Sequence, residues 1–214
     1  MRGERLSALE RARRAATSAE EHSDAAPKVV GTAGGGLQGA PSWAANAAVA
    51  RHGQRGEQKT AQVLERTCRG HNGATVMHDL AIPIPGFSAN IDHVVVSGRR
   101  VLLIDAKAWG PGFYWTHGGV TRRGLRPFKP GDKKTVEMAH QHIERFLANG
   151  WVTADFVTPL VVVWPTSGRV SLRFARFPGA RLITGAQLAR AVRQSVGNDP
   201  ADADLVSALT RLVN

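Results

Sequence analysis

The chain has 214 residues, of which 43% are hydrophobic and 21% are charged, the balance of a folded protein rather than a disordered one. Its one cysteine excludes an internal disulfide and the paired cysteines of a structural zinc site. Because no stretch approaches the roughly 20 apolar residues of a membrane span and no signal peptide is recognisable, we expect a cytoplasmic protein without membrane attachment.

The net charge of +11 is unevenly distributed. Residues 1–50 contribute +1 and residues 51–214 contribute +10, and nine basic residues stand against two acidic ones between residues 99 and 134. A local excess of this kind binds polyanions by releasing their counterions, although on its own it fits a solvated face of a basic protein equally well. The predicted nucleic-acid-binding residues are Arg99, Arg100, Arg122, Arg123, Arg126, Lys129, Lys133 and Lys134.

The first 50 residues are predicted to form a partly disordered N-terminal extension. An amphipathic helix is expected over residues 6–22, followed by a flexible Gly-rich linker over residues 31–42. The main domain is placed at residues 51–214, with a core at 53–164 and a C-terminal cap at 165–214. Its first helix is expected between Arg51 and Cys68, with the Ala-rich run up to Ala50 as a separate leading helix.

The following segments alternate between strand and helix patterns. A strand that runs into a Pro/Gly turn is predicted over residues 75–86, a hairpin over 90–109 around Ser97-Gly98, and a second hairpin over 113–124 around Gly118-Gly119. Helical periodicity covers residues 132–149, and the apolar run at 156–165 is typical of a central buried strand. Two short strands and two helices complete the cap. The order predicts an α/β (α+β) fold.

The chemistry-bearing residues lie on the first hairpin. Asp92 begins one strand, and Asp105 and Lys107 end the next. Side chains alternate between the faces of a strand, so Asp105 and Lys107 project from the same face. Phosphodiester hydrolysis uses Mg²⁺ held by one or two carboxylates, with waters and phosphate oxygens. Asp92 and Asp105 are the predicted ligands, with the backbone carbonyl of Ala106 as a third.

Two further residues complete the predicted site. Lys107 can orient or help deprotonate the attacking water and offset charge that develops on the phosphate. Glu57, on the first helix, supplies another carboxylate to the metal or to its water. His93 would point away from Asp92 in a regular strand, which favours a packing role over a ligand role. A strand ending in Asp-x-Lys is common by itself, so the combination carries the prediction.

The combination resembles the nuclease-related domain (NERD) family, a branch of the PD-(D/E)xK restriction-endonuclease-like superfamily. The matching segments are Gly53–Glu57, His78–Leu80, Asn90–Val96 and Ile104–Lys107. The resemblance implies a restriction-endonuclease-like core with a central mixed sheet flanked by helices. It also implies that Asp92, Asp105, Lys107 and Glu57 are catalytic, and it places Gln141 near the metal, although Arg145 stands where some relatives have a tyrosine.

These observations predict a Mg²⁺-dependent deoxyribonuclease, with an endonuclease as the favoured prediction and Mn²⁺ as an alternative metal. The sequence leaves open whether the substrate is DNA or RNA and whether the protein is a homodimer. Two alternatives remain: a non-catalytic nucleic-acid-binding module on the same fold, and an interaction protein whose basic residues meet an acidic partner. Trp109, Phe113, Tyr114 and Trp115 could stack on unpaired bases, but core packing is the favoured prediction for them.

Overall fold

The computed structural model describes residues 28–34, 44–69, 73–87 and 89–214 of the chain. The predicted helix at residues 6–22 and most of the predicted linker lie outside these residues. The helices are α1 (Ala44–Cys68), α2 (Thr135–Asn149), α3 (Leu188–Ser195) and α4 (Ala203–Thr210). The strands are β1 (Lys28–Val30), β2 (Thr75–Ala81), β3 (Asn90–Ser97), β4 (Arg100–Trp109), β5 (Gly112–His117), β6 (Val120–Arg123), β7 (Arg126–Pro127), β8 (Asp155–Phe156), β9 (Leu160–Pro165), β10 (Val170–Phe174) and β11 (Arg181–Thr184).

The larger sheet, called the main sheet below, has the strand order β1-β2-β3-β4-β9-β11, with β8 also paired to β4. Strands β2, β3 and β4 are antiparallel neighbours, whereas β9 is parallel to β4 and β11. A parallel return needs a long crossover connection, which here contains β5, β6, β7 and α2. The strand that carries Asp105 is therefore central, with neighbours on both sides.

Helices cover both faces of the main sheet. Ile143 and Leu147 of α2 share one apolar cluster with Leu103 of β4, and Leu64 of α1 shares the other with Leu102. The two adjacent leucines of β4 thus point to opposite faces, as the alternation of a strand requires. Coverage on both faces explains why β9 is a continuous apolar run. The predicted mixed sheet flanked by helices is confirmed.

The smaller sheet, called the small sheet below, has the order β10-β5-β6-β7. Its inner face carries Tyr114, which is fully buried with its ring 4.9 Å from Trp109 and 5.0 Å from Phe128. The core prediction is therefore confirmed for Trp109 and Tyr114. It is wrong for Phe113, which is 43% exposed, because neighbouring residues of β5 alternate between the two faces.

The two predicted hairpins are present as β3-β4 and β5-β6. At the second turn Gly118 and Gly119 both have positive φ, 56° and 77°, a conformation that two-residue hairpin turns require and that glycine adopts without steric cost. The second helix, the central strand, both short strands and both final helices also form where they were predicted. The remaining differences lie at the N-terminal side.

Two features differ from the expected organisation before residue 51. Lys28–Val30 form an edge strand of the main sheet, paired in parallel with β2, although these residues were assigned to the extension. Helix α1 runs without a break from Ala44 to Cys68, so there is no separate leading helix, and Glu57 lies well inside α1 rather than near its start. The division at residue 51 stays a prediction for the residues outside the structure.

In the part of the chain that the structure describes, no helix has the length and apolar character needed to cross a membrane.

Candidate active site

The site forms where β3 and β4 stop pairing. Their ladder reaches His93 opposite Ile104 and goes no further in this direction. Beyond it the Asp92 carboxylate takes the place of a backbone acceptor: its Oδ2 accepts a hydrogen bond from the Ala106 backbone N–H at 2.6 Å. This contact fixes the Asp92 side chain near the end of β4, next to Asp105 and Lys107, the two neighbours of Ala106 in the sequence.

Asp105 and Lys107 lie side by side on β4, as their two-residue spacing predicts. Lys107 Nζ is 2.6 Å from Asp105 Oδ2. The aspartate is 2% exposed, whereas the lysine side chain keeps 29% exposure. Apart from Lys107, no donor in the described residues reaches this buried carboxylate oxygen. The ion pair is therefore open to solvent on the lysine side only.

Glu57 reaches the same region from α1. Trp164 of β9 donates from Nε1 to Thr60 Oγ1 at 2.8 Å, and Thr60 Oγ1 donates to the Gly56 carbonyl at 2.9 Å. A Cβ atom at buried Gly56 would lie 3.5 Å from the Trp164 ring, which shows how closely the indole approaches the helix. These contacts hold α1 against β9 at the residue that precedes Glu57.

Burial, with repulsion from neighbouring carboxylates, raises the pKa of Asp92 and of Glu57. Burial, followed by the nearby Asp105 carboxylate, raises the pKa of Asp92 well above its ordinary value of 3.8. Burial also raises the pKa of Glu57, with the Lys107 ammonium opposing this and Asp79 and Asp105 adding to it. These effects place Glu57, Asp92 and Asp105 in one electrostatic neighbourhood, together with Lys107.

Lys107 is the cation of this neighbourhood. Burial lowers its pKa, but the carboxylates of Asp105, Asp92 and Glu57 more than compensate, so the pKa lies above the ordinary 10.5. Lys107 is therefore an ammonium ion in the protein as described. The structure therefore brings Glu57, Asp92, Asp105 and Lys107 close enough together for their charges to interact.

Asp79 is a further acidic residue of this region that the sequence prediction left without a role. It accepts a hydrogen bond from Asn90 Nδ2 at 2.7 Å, and its charge raises the pKa of Glu57. Its φ of +57° interrupts the regular pairing of β2 with β3 between His78 and Leu80. A non-glycine residue in the left-handed region is uncommon in a strand, so strand alternation could not place its side chain. The family resemblance includes the segment His78–Leu80, and this was the one signal in the sequence that could have pointed to Asp79.

The two histidines beside these acids pair with each other. His78 Nδ1 and His93 Nδ1 are 2.8 Å apart in the buried interior, and His78 Nε2 faces Glu65 Oε1 at 3.4 Å. Burial, followed by His78, holds the pKa of His93 well below its ordinary value. The predicted packing role of His93 agrees with these contacts.

The acids form an oxygen-only donor set. Mg²⁺ prefers such ligands, commonly taking one or two carboxylates and completing its shell with waters and phosphate oxygens. Asp92 and Asp105 meet this requirement, and the otherwise unpartnered oxygen of Asp105 suits a cation. Among the described residues, no group of three or more His, Cys, Asp or Glu side chains is already arranged around a metal position. Metal binding by Asp92, Asp105, Glu57 and the Ala106 carbonyl stays a prediction.

Other predicted residues lie elsewhere. Gln141 is exposed on α2, and no hydrogen bond in the described part of the chain joins it to the acids, so its role stays a prediction. Arg99 and Arg100 lie at the turn end of β4, opposite the site. Arg99 there contacts Asp202 at 3.4 Å and donates to the Thr153 carbonyl. The remaining basic residues lie on the small sheet and before α2: Arg122, Arg123, Arg126, Lys129, Lys133 and Lys134.

Comparison with known families identifies this arrangement. The family model described as nuclease-related domain matches residues 52–164, which is 113 of the 214 residues and more than half of the chain. The chain belongs to the NERD family. Comparison with curated proteins and with solved structures found no match.

The NERD match includes Glu57 on α1, Asp92 on β3, and Asp105 and Lys107 on β4, which together are called the acidic cluster below. It ends at Trp164, the residue that holds α1 against β9, and nearly coincides with the predicted core at 53–164. Strands β1 and β11, which extend the main sheet at its two edges, lie outside the matched range. The NERD fold of this chain therefore recruits sheet strands from both flanking segments.

Proposed function

We propose that the protein is a Mg²⁺-dependent nuclease that hydrolyses phosphodiester bonds of DNA, and most simply an endonuclease. The observation that supports this most directly is the Asp105–Lys107 ion pair beside Asp92 at the end of two adjacent strands. Membership of the NERD family supports a nuclease-related role. The basic small sheet beside β4 supports a nucleic-acid substrate.

Asp92 and Asp105 would hold the metal ion in this proposal. The Ala106 N–H keeps one oxygen of Asp92 oriented, and the rigid central strand keeps Asp105 in place. When bound, Mg²⁺ or Mn²⁺ supplies Lewis acidity toward the scissile phosphate and lowers the pKa of water. Burial, followed by repulsion from the Asp105 carboxylate, raises the pKa of Asp92, and a cation bound at this position would offset both effects.

Lys107 and Glu57 would act on the attacking water. The ammonium of Lys107 orients the water and offsets negative charge that develops on the phosphate. Glu57, on α1, would accept a hydrogen bond from the water or contribute an oxygen to the metal. The hydrogen bond from Trp164 to Thr60 joins α1 to β9 one helical turn after Glu57, which restricts the movement of Glu57 relative to the sheet.

The test is a cleavage assay with single-stranded, duplex and branched DNA and with RNA, in Mg²⁺ or Mn²⁺. Asp105→Asn, Asp92→Asn and Lys107→Met should each lower the cleavage rate at least about a hundredfold, the scale on which a catalytic group contributes. Asp155→Asn and Lys28→Met, which change exposed residues outside the acidic cluster and the predicted nucleic-acid-binding residues, are matched controls that should cleave as the wild type does.

Wild-type cleavage by the Asp105 and Lys107 variants would end the nuclease proposal. Salt-sensitive DNA binding without turnover in the wild type would favour the non-catalytic binding module instead. The RNA arm decides between the two nucleic acids. Cytoplasmic location and a homodimer that cuts both strands remain predictions.

A further inference from the structure

The outer face of the small sheet combines aromatic rings with arginines. We call it the aromatic face and define it by Phe113 and Trp115 of β5, Arg122 of β6, and Arg173 and Phe174 of β10. Trp115 and Arg122 are directly opposite each other, and the Arg122 guanidinium lies 5.7 Å from the Trp115 ring centre. The rings of Phe113 and Phe174 are 6.1 Å apart, edge to face, and Arg173 lies 5.3 Å from the Phe174 ring.

The aromatic face is exposed, unlike the inner face of the same sheet. Phe113 is 43% and Phe174 is 58% exposed, whereas Tyr114 on the inner face is fully buried against Trp109. Burial of the inner face satisfies the packing requirement of the sheet. The exposed rings are therefore not needed to complete the core, and exposed apolar groups that cluster mark an interaction surface.

The charge of this sheet is entirely positive. Residues 112–127 and 169–176, which form its strands and their borders, contain six arginines and no Asp or Glu. Rings that stack on bases, next to arginines that neutralise phosphates, are the two components of a surface for unpaired nucleic acid. A duplex hides the faces of its bases, so stacking on these rings needs an unpaired strand.

The aromatic face also lies close to the acidic cluster. Phe113 follows Lys107 by six positions in the sequence, so their Cα atoms are at most about 22 Å apart. At a rise of 3.4 Å per nucleotide of one strand, about six nucleotides cover this distance. The Trp109 and Tyr114 rings, whose centres are 4.9 Å apart, hold the small sheet to the end of β4. The distance between the aromatic face and the acidic cluster is therefore fixed by the fold.

We infer that the aromatic face binds an unpaired DNA strand, with bases stacked on Phe113 and Phe174 and phosphates paired with Arg122 and Arg173. The inference rests on the proposed function for its choice of DNA as the ligand. It adds a substrate class, DNA with a single-stranded segment, and a path from the aromatic face to the acidic cluster.

The experiment measures fluorescence anisotropy of labelled 12-nucleotide oligo-dT with the full chain in EDTA, so that binding is separated from cleavage. Phe113→Leu with Phe174→Leu removes both rings but keeps apolar volume. This double variant should weaken oligo-dT binding at least about tenfold while changing the affinity for a 12-base-pair duplex less than about threefold. The same pair changed to alanine should show the same loss, and circular dichroism verifies the fold of both.

Trp151→Ala is the matched control, because Trp151 is an aromatic residue that is 96% exposed at the end of α2, outside the small sheet. Its affinity for oligo-dT should equal that of the wild type. The logarithm of the oligo-dT binding constant should fall as the logarithm of the salt concentration rises. Arg122→Gln should make this negative slope shallower by about 0.7, the contribution of one phosphate contact on a single strand.

Wild-type affinity of the double leucine variant for oligo-dT would overturn the inference, and so would an equal loss for oligo-dT and duplex. A loss confined to oligo-uridine would overturn DNA as the ligand. Because metal and turnover play no part in this measurement, a failure of Asp105→Asn to abolish cleavage would remove the proposed nuclease chemistry and leave the binding result intact.

Discussion

Lys107→Met should destabilise the metal-free protein, because it leaves the Asp105 carboxylate buried without its cation. The wild-type contact is 2.6 Å and Asp105 is 2% exposed. Removing one partner of a buried ion pair costs about 3–5 kcal/mol of folding free energy. The 29% exposure of the lysine favours the lower end of this range, so we expect a loss of about 3 kcal/mol.

The loss should shrink in acid, because the carboxylate can avoid its unpaired charge by taking up a proton. Protonation of an ordinary aspartate costs about 1.4 kcal/mol for each pH unit above a reference pKa of about 3.9, which limits the loss to about 4 kcal/mol at pH 7 and about 1.5 kcal/mol at pH 5. The stability deficit is therefore present at neutral pH and disappears as the pH falls. Urea unfolding in EDTA at the two pH values measures it.

A second variant separates charge from packing. Asp105→Asn combined with Lys107→Met removes both charges and should recover most of the stability that Lys107→Met loses. Lys129→Met, at an exposed position, controls for the change of residue type and should stay within about 0.5 kcal/mol of the wild type. A single Lys107→Met variant as stable as the wild type at pH 7, or a double variant no better than the single one, would refute the reasoning.

Three further predictions concern other buried positions. Burial raises the pKa of the Cys68 thiol to about 12, so a thiol reagent at pH 8 should label the native protein no faster than it unfolds and label it at once in urea. Gly56→Ala should stabilise the protein by about 0.5–1 kcal/mol in urea unfolding, because alanine favours a helix interior over glycine by this amount. The added methyl group would fit, since it would lie at an ordinary 3.5 Å from the Trp164 ring. A destabilised variant would show that the ring cannot tolerate this contact. The pKa of His93 is lowered in the folded protein, so below about pH 6.5 the unfolded chain takes up a proton at this residue that the folded protein does not. His93 therefore lowers the free energy of unfolding as the pH falls below about 6.5. His93→Gln should flatten the slope of the free energy of unfolding against pH between pH 7 and pH 5.

The strand pattern was sufficient to predict the centre of the candidate site. Two-residue spacing places Asp105 and Lys107 on one face of β4, and hairpin geometry brings Asp92 to the same end. Both are local rules that hold wherever a regular strand forms. The residues alone offered Glu57 as a further carboxylate but could not place it at this end of the sheet, because helix periodicity does not say which end of a sheet a helix covers; the family resemblance supported that placement.

Residues whose conformation depends on tertiary contacts could not be predicted in this way. Asp79 adopts a left-handed backbone that breaks the alternation on which the prediction depends. Strand β1 has three residues, too few for a periodic signal, and its pairing partner is β2, more than forty residues later. Alternation along β5 would have separated Phe113 from Tyr114, but the direction of the core relative to β5 is set by Trp109 and Phe128.

The crossover between β4 and β9 has a consequence for how such a protein can diverge. Strand β4 pairs with β3 from Arg100 to Ile104 on one edge and with β8 and β9 on the other, so most of its amides should exchange with solvent only when the whole domain opens. The small sheet instead belongs mainly to the connection that leaves β4 and returns as β9. In the proposed function, insertions and substitutions there would change which ligand is held without shifting the β4 backbone that aligns the carboxylates. Affinity and reactivity could then be inherited as separate traits within one short chain.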